Sequence, residues 1–146
     1  MRKLLACIAC FSMCTLLATA RGTEKGSVKI EGTWAATGGI LEGKKVPDDE
    51  VAKEKLVMIL KAGKYEITAM GKQVEAGTYK IDFSKMPVAV DMTISKGTGA
   101  GKTQLGILKL DGDILTIAMG EAGGKDRPKN FDGAADVGII IWKRAK

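Results

Sequence analysis

Apolar and polar residues alternate with a period of two through most of this chain, and that period predicts strands. From Val28 to Ala36, the residues Val28, Ile30, Trp34 and Ala36 share one parity, while Lys29, Glu31 and Thr33 share the other. Successive side chains of a strand point to opposite faces, so this stretch predicts one dry face and one wet face. Gly32 stands on the dry parity beside Trp34, which leaves room for a neighbour to come close to the indole.

After this strand, Gly38-Gly39 and Gly43-Lys44-Lys45 bracket an expected turn region with an abbreviated strand at Ile40-Leu41. Pro47 followed by Asp48-Asp49-Glu50 and then helix formers predicts a short helix over 48–54, its acids near the positive end of the helix dipole. From Leu56 onward the chain reads as short strands separated by turn signals. Leu56–Lys61 meets Lys64–Ala69 across Ala62-Gly63, and Met70-Gly71-Lys72 leads into Val74–Phe83. Val88, Val90, Met92 and Ile94 alternate with Ala89, Asp91, Thr93 and Ser95. Thr103–Leu110 turns at Asp111-Gly112 into Ile114–Met119, and a glycine-rich loop from Gly120 to Asp136 precedes the last strand, Val137–Arg144. On that last strand both parities are apolar, so parity does not decide which face is inside. About eight antiparallel strands with short connections predict an up-and-down barrel, in which the first and last strands pair and no edge is left open.

The first residues follow a different pattern. Met1-Arg2-Lys3 is basic, Leu4 to Ala20 is almost wholly apolar or small, and Ala18-Thr19-Ala20 has the form of a signal-peptidase site. Residues 1–20 are therefore expected to be a secretory signal peptide, 21–27 a flexible lead-in, and 28–146 a single barrel domain. The alternative is a retained membrane anchor, for which the apolar run is at the lower length limit. Cys7, Cys10 and Cys14, the three cysteines, all fall in the signal segment. The mature chain would then hold together by packing alone, in an extracytoplasmic compartment, periplasmic or external, with no stable membrane anchor after cleavage.

Composition narrows the function. Histidine is absent from all 146 residues. That removes Ser-His and Cys-His nucleophilic catalysis, histidine general bases and the usual zinc sites. No catalytic residue, cofactor or metal is expected, and the chain is read as a non-enzyme. The 23 Lys+Arg against 17 Asp+Glu are spread along the chain, without the basic stripe and interleaved aromatics that nucleic-acid binding needs. Gly97–Thr103 looks like a phosphate cradle, but Lys96 occupies the first glycine position and a strand follows where a helix is required. Asp111-Gly112-Asp113 reads as turn chemistry rather than a calcium site.

Several short motifs together resemble a family of small secreted lipocalin-like domains abundant in planctomycete bacteria. They are Glu31-Gly32-Thr33-Trp34, the Gly43 to Pro47 turn, Gly77-Thr78-Tyr79, Met86-Pro87, Gly106-Ile107, Leu110-Asp111-Gly112-Asp113, Arg127-Pro128 and Lys143-Arg144. More broadly, Gly32-Thr33-Trp34 resembles the G-x-W signature of lipocalin-like barrels. The resemblance implies that Gly32, Trp34 and Arg144 form a structural plug at one barrel end, the arginine covering the indole; the alternative places Trp34 in the wall of a ligand cavity. Arg127, Phe131 and Lys102 are the candidate recognition residues of loops at the barrel mouth, and Arg127-Pro128 and Phe131 equally suit a lid or brace folded over the barrel. Met58, Met70, Met86, Met92 and Met119 suit either an adaptable cavity or ordinary core filling. Two functions remain open: a binding protein for a small apolar or amphipathic ligand, and a filled-barrel interaction module for an envelope protein or polymer. An interior hollow of some 300 Å³ or more would favour the first.

Overall fold

A computed structural model describes residues 30–146; the signal segment expected at 1–20, the lead-in at 21–27 and residues 28–29 lie outside the described residues. The alternating stretches form β1 (Gly32–Leu41), β2 (Lys44–Lys45), β3 (Val57–Lys61), β4 (Lys64–Ala69), β5 (Lys72–Asp82), β6 (Val88–Lys96), β7 (Thr103–Asp111), β8 (Ile114–Met119) and β9 (Gly138–Arg144). A short helix, α1 (Asp48–Glu54), carries Asp48, Asp49 and Glu50 in its first turn and docks through the buried Val51.

The strands run antiparallel in the order β1-β3-β4-β5-β6-β7-β8-β9, and β1 also pairs with β9, which closes an eight-stranded up-and-down barrel. β2 is an extra strand on the β1 edge, with Ile40 opposite Lys45. This is the architecture of lipocalin-like barrels, in which closure leaves no long edge to template aggregation.

Three local expectations change. The first strand begins at Gly32, not Val28: Ile30 is helical and buried, and Gly32 takes a φ of +133°, a conformation that breaks the extended run. Gly38-Gly39 is not a turn but the middle of β1, after a bulge between Ala36 and Gly38, so Ile40 and Leu41 belong to the same long strand. The β7–β8 turn is Gly112-Asp113, one residue later than expected, because Asp111 already pairs with Ile114.

Inside the barrel, Trp34, Met58, Leu60, Tyr65, Val90, Met92, Leu108, Leu115, Ile117 and Trp142 form the main core, with Ile30 packed at one end. Complete burial of a large apolar side chain contributes about 1.5–3 kcal/mol. A second cluster, Ile107, Ala118, Val137 and Ile139, lies on the opposite parity of β7, β8 and β9 and packs against Ile40 and Phe131. The long loop between β8 and β9 covers this outer face. The last strand is therefore apolar on both parities because both are covered: Trp142 and Ile140 face the barrel core, and Ile139 faces the loop.

Candidate functional site

At the end of the barrel where β1 begins, the chain closes on itself. Trp34 is 0% exposed, and its Nε1 donates to the Ile30 carbonyl at 2.8 Å. Trp34 lies opposite Arg144 in the β1–β9 ladder, and the guanidinium sits 4.2 Å from the indole centroid. Arg144 Nη1 donates to the Glu31 carbonyl at 2.9 Å, and Nε is 3.5 Å from Asp113 Oδ1. The φ of +133° at residue 32 calls for glycine, and the absence of a Cβ there leaves room for Arg144 Nη1, which would lie 2.9 Å from one. Gly32, Trp34 and Arg144 thus come together at one barrel end, and Trp34 takes no part in lining the cavity described next.

The opposite end is hollow. A cavity of about 490 Å³ runs into the barrel there, with Met58, Ile67, Met92, Ile117, Ile140 and Trp142 among its inner lining. All six belong to, or pack against, the main core, so the hollow lies inside the strands rather than on their surface. Nearer the mouth it is bordered by Leu41 from the end of β1, Glu42 from the turn after it, Gln104 from the start of β7, Met119 from the end of β8, and Glu121 and Asp136 from the long loop.

Of the acids that line the cavity, Glu75 is carried within a barrel strand. It shares the parity of Gly77, Tyr79 and Ile81 on β5, and its Oε1 accepts the Tyr65 hydroxyl at 2.8 Å. The Tyr65 ring lies close over Gly77, where any Cβ would collide with both that ring and the Thr93 carbonyl. Burial first, and then the hydrogen bond and charge of Glu75, push the Tyr65 phenol well above its ordinary range. The cavity wall therefore contains an acceptor, Glu75, held in place by the buried Tyr65 hydroxyl behind it, and the short sequence motifs did not point to either residue. A signal was available: Glu75 and Gln104 are polar residues on inward parities, the first with Tyr79 and Ile81, the second with Leu108 and Leu110.

The expected mouth-loop residues lie elsewhere. Arg127 reaches back from the long loop to the sheet: Nη1 donates to the Val90 carbonyl at 3.0 Å and the Gly106 carbonyl at 2.8 Å, and Nη2 meets Asp91 Oδ1 at 2.7 Å. Phe131 packs on the outer cluster, with Lys109 Nζ 4.5 Å above its ring. Lys102 runs its aliphatic stem past Gly123. None of the three lines the barrel cavity; Arg127 instead borders a hollow of about 330 Å³ within the loop. The loop contributes to the cavity through Gly120, Glu121, Ala135 and Asp136.

Among the described residues, no group of three or more His, Cys, Asp or Glu side chains is arranged to hold a metal ion. No family model matches the chain, and no curated protein matches it.

Proposed function

We propose that this chain is a lipocalin-like, non-enzymatic, extracytoplasmic binding protein that takes a small apolar or amphipathic molecule into the open end of its barrel. The observation that carries this reading is the internal cavity of about 490 Å³, above the roughly 300 Å³ at which pockets begin to enclose small ligands. Three methionines in its wall, Met58, Met92 and Met119, give a surface that adapts to ligand shape. The same hollow weighs against a barrel filled by its own side chains and acting as an envelope-protein or polymer module. The absence of histidine from the sequence supports the non-enzymatic reading, and the A-x-A site at Ala18–Ala20 supports export. Kinship with the planctomycete-type secreted domains rests on the short motifs given above.

Titration with N-phenyl-1-naphthylamine, a dye that fluoresces in apolar surroundings, tests the cavity. Saturable binding is expected, and Met119→Trp or Ile67→Trp, each filling the hollow from a different strand, weakens it roughly tenfold, the equivalent of 1.4 kcal/mol. A folded wild-type protein that shows no saturable signal excludes the reading. Amino-terminal sequencing of exported protein is expected to begin at Arg21.

A further inference from the structure

The charge of the cavity runs against the charge of the chain. Basic residues outnumber acidic ones by 23 to 17 over the whole sequence, yet the cavity is lined by Glu42, Glu75, Glu121 and Asp136 and by no lysine or arginine. These acids are far apart in sequence and arrive from the β1–β2 turn, β5 and the long loop, so barrel closure is what gathers them around one opening. They are also not neutralised locally. The ion pairs among the described residues are Lys45–Asp48, Lys53–Asp49, Arg127–Asp91 and Arg144–Asp113, and none includes a cavity acid.

We infer that the cavity selects amphiphiles with a cationic head, of the alkylamine or alkylammonium class, the tail entering the apolar floor and the positive charge resting among the mouth carboxylates. The inference rests on the binding reading above and adds the head group to it. A concave opening with low-dielectric walls and one sign of charge concentrates its field on whatever enters. An anionic head of the same size would bring like charge against four carboxylates, whereas an ammonium head replaces the missing counter-ion. The apolar lining explains why a bare cation is not the ligand: most of the hollow has nothing to offer a hydrated ion. Leu41, half exposed at the lip, carries the apolar surface out to the level of Glu42, so tail and head contacts are continuous.

The test uses purified protein expressed as the full chain, and displacement of N-phenyl-1-naphthylamine by three probes of one tail length: decyltrimethylammonium, decanol and decyl sulfate, all below micelle formation. The ammonium compound is expected to displace the dye at roughly tenfold lower concentration than the sulfate, the order that several exposed charge contacts give together, and the gap shrinks in high salt. The triple variant Glu42→Gln, Glu121→Gln, Asp136→Asn closes most of that gap and leaves decanol unchanged. The matched variant Asp48→Asn, Asp49→Asn, Glu50→Gln alters net charge equally on α1 and leaves the gap intact. Equal or tighter binding of the sulfate, or a gap that survives in the cavity variant, overturns the head-group inference while decanol binding still upholds the cavity. Failure of dye and decanol alike to bind overturns both.

Discussion

At the closed end, the groups that Arg144 meets include the Trp34 ring, the Glu31 carbonyl and the Asp113 carboxylate. A guanidinium over an indole is worth about 0.5–2 kcal/mol depending on desolvation, and here the ring beneath it is fully buried. Trp34 has its single polar atom satisfied by Ile30, so its burial leaves no unpaired donor behind. Trp34→Ala is therefore expected to cost about 3–5 kcal/mol, measured by urea denaturation, and a near-native midpoint would contradict its enclosure. Glycine beside a large aromatic on a dry parity made a close neighbour of Trp34 legible, but that the neighbour is Arg144 was implied by the resemblance to lipocalin-like barrels, because parity left the facing of the last strand open. Tyr65 and Glu75 were less legible, because an acid on an inward parity looks like a surface residue until its strand's face is known.

The long loop between β8 and β9 is held to the sheet by Arg127, which spans from the loop to the carbonyls of two paired residues, Val90 and Gly106. Arg127→Met removes those donors and leaves Asp91 without its partner. It is expected to cost about 1.5–3 kcal/mol and to raise amide hydrogen exchange across residues 120–136, where unchanged exchange would rule out an anchoring role. The hairpin turns offer a change in the opposite direction. Ala62-Gly63 and Met70-Gly71 both place two successive residues at positive φ, the type I′ geometry that matches strand twist but suits few side chains. Met70 has a φ of +49° and is 67% exposed, so it packs against little while occupying a left-handed conformation. Met70→Asn is expected to stabilise the barrel by about 0.5–1 kcal/mol in thermal melts, because asparagine tolerates that conformation. The hairpin positions were visible in the sequence as X-Gly pairs between alternating runs. Gly38-Gly39 misled, because two adjacent glycines mark a bulge inside a long strand as readily as a turn between two short ones.

For the whole molecule, histidine is absent and the three cysteines all fall in the expected signal segment, so residues 21–146 carry no side chain of ordinary affinity that titrates between the carboxylates and the phenols. Tyr65 and Tyr79 are both held above their ordinary value, chiefly by burial. The folded state keeps their protons at a pH where the unfolded chain releases them. Stability from this source is fully present below the unfolded value of about 10 and is lost as pH rises toward the raised folded values. Asp82 has the opposite sign: hydrogen bonds from Ser84 lower it, so its contribution is present above the ordinary carboxylate range and lost as pH falls. The melting temperature is expected to be nearly level from about pH 5 to pH 9 and to fall above about pH 10. Tyr65→Phe makes that alkaline fall shallower, and an identical slope in the variant would remove Tyr65 from its cause.

The strand count, the hairpin order, the short helix and the capacity of the meander to close are local properties, set by period-two alternation and by turn residues a few positions apart. The direction in which the last strands face is not local. β7, β8 and β9 are apolar on both parities, and only the packing of the long loop on Ile107, Ala118 and Ile139 assigns one parity to the barrel and the other to the loop. The cavity and its acidic mouth belong to the same class. Volume is what remains after side chains from eight strands have packed around one axis, and Glu42, Glu75, Glu121 and Asp136 become neighbours of one opening only when the barrel closes.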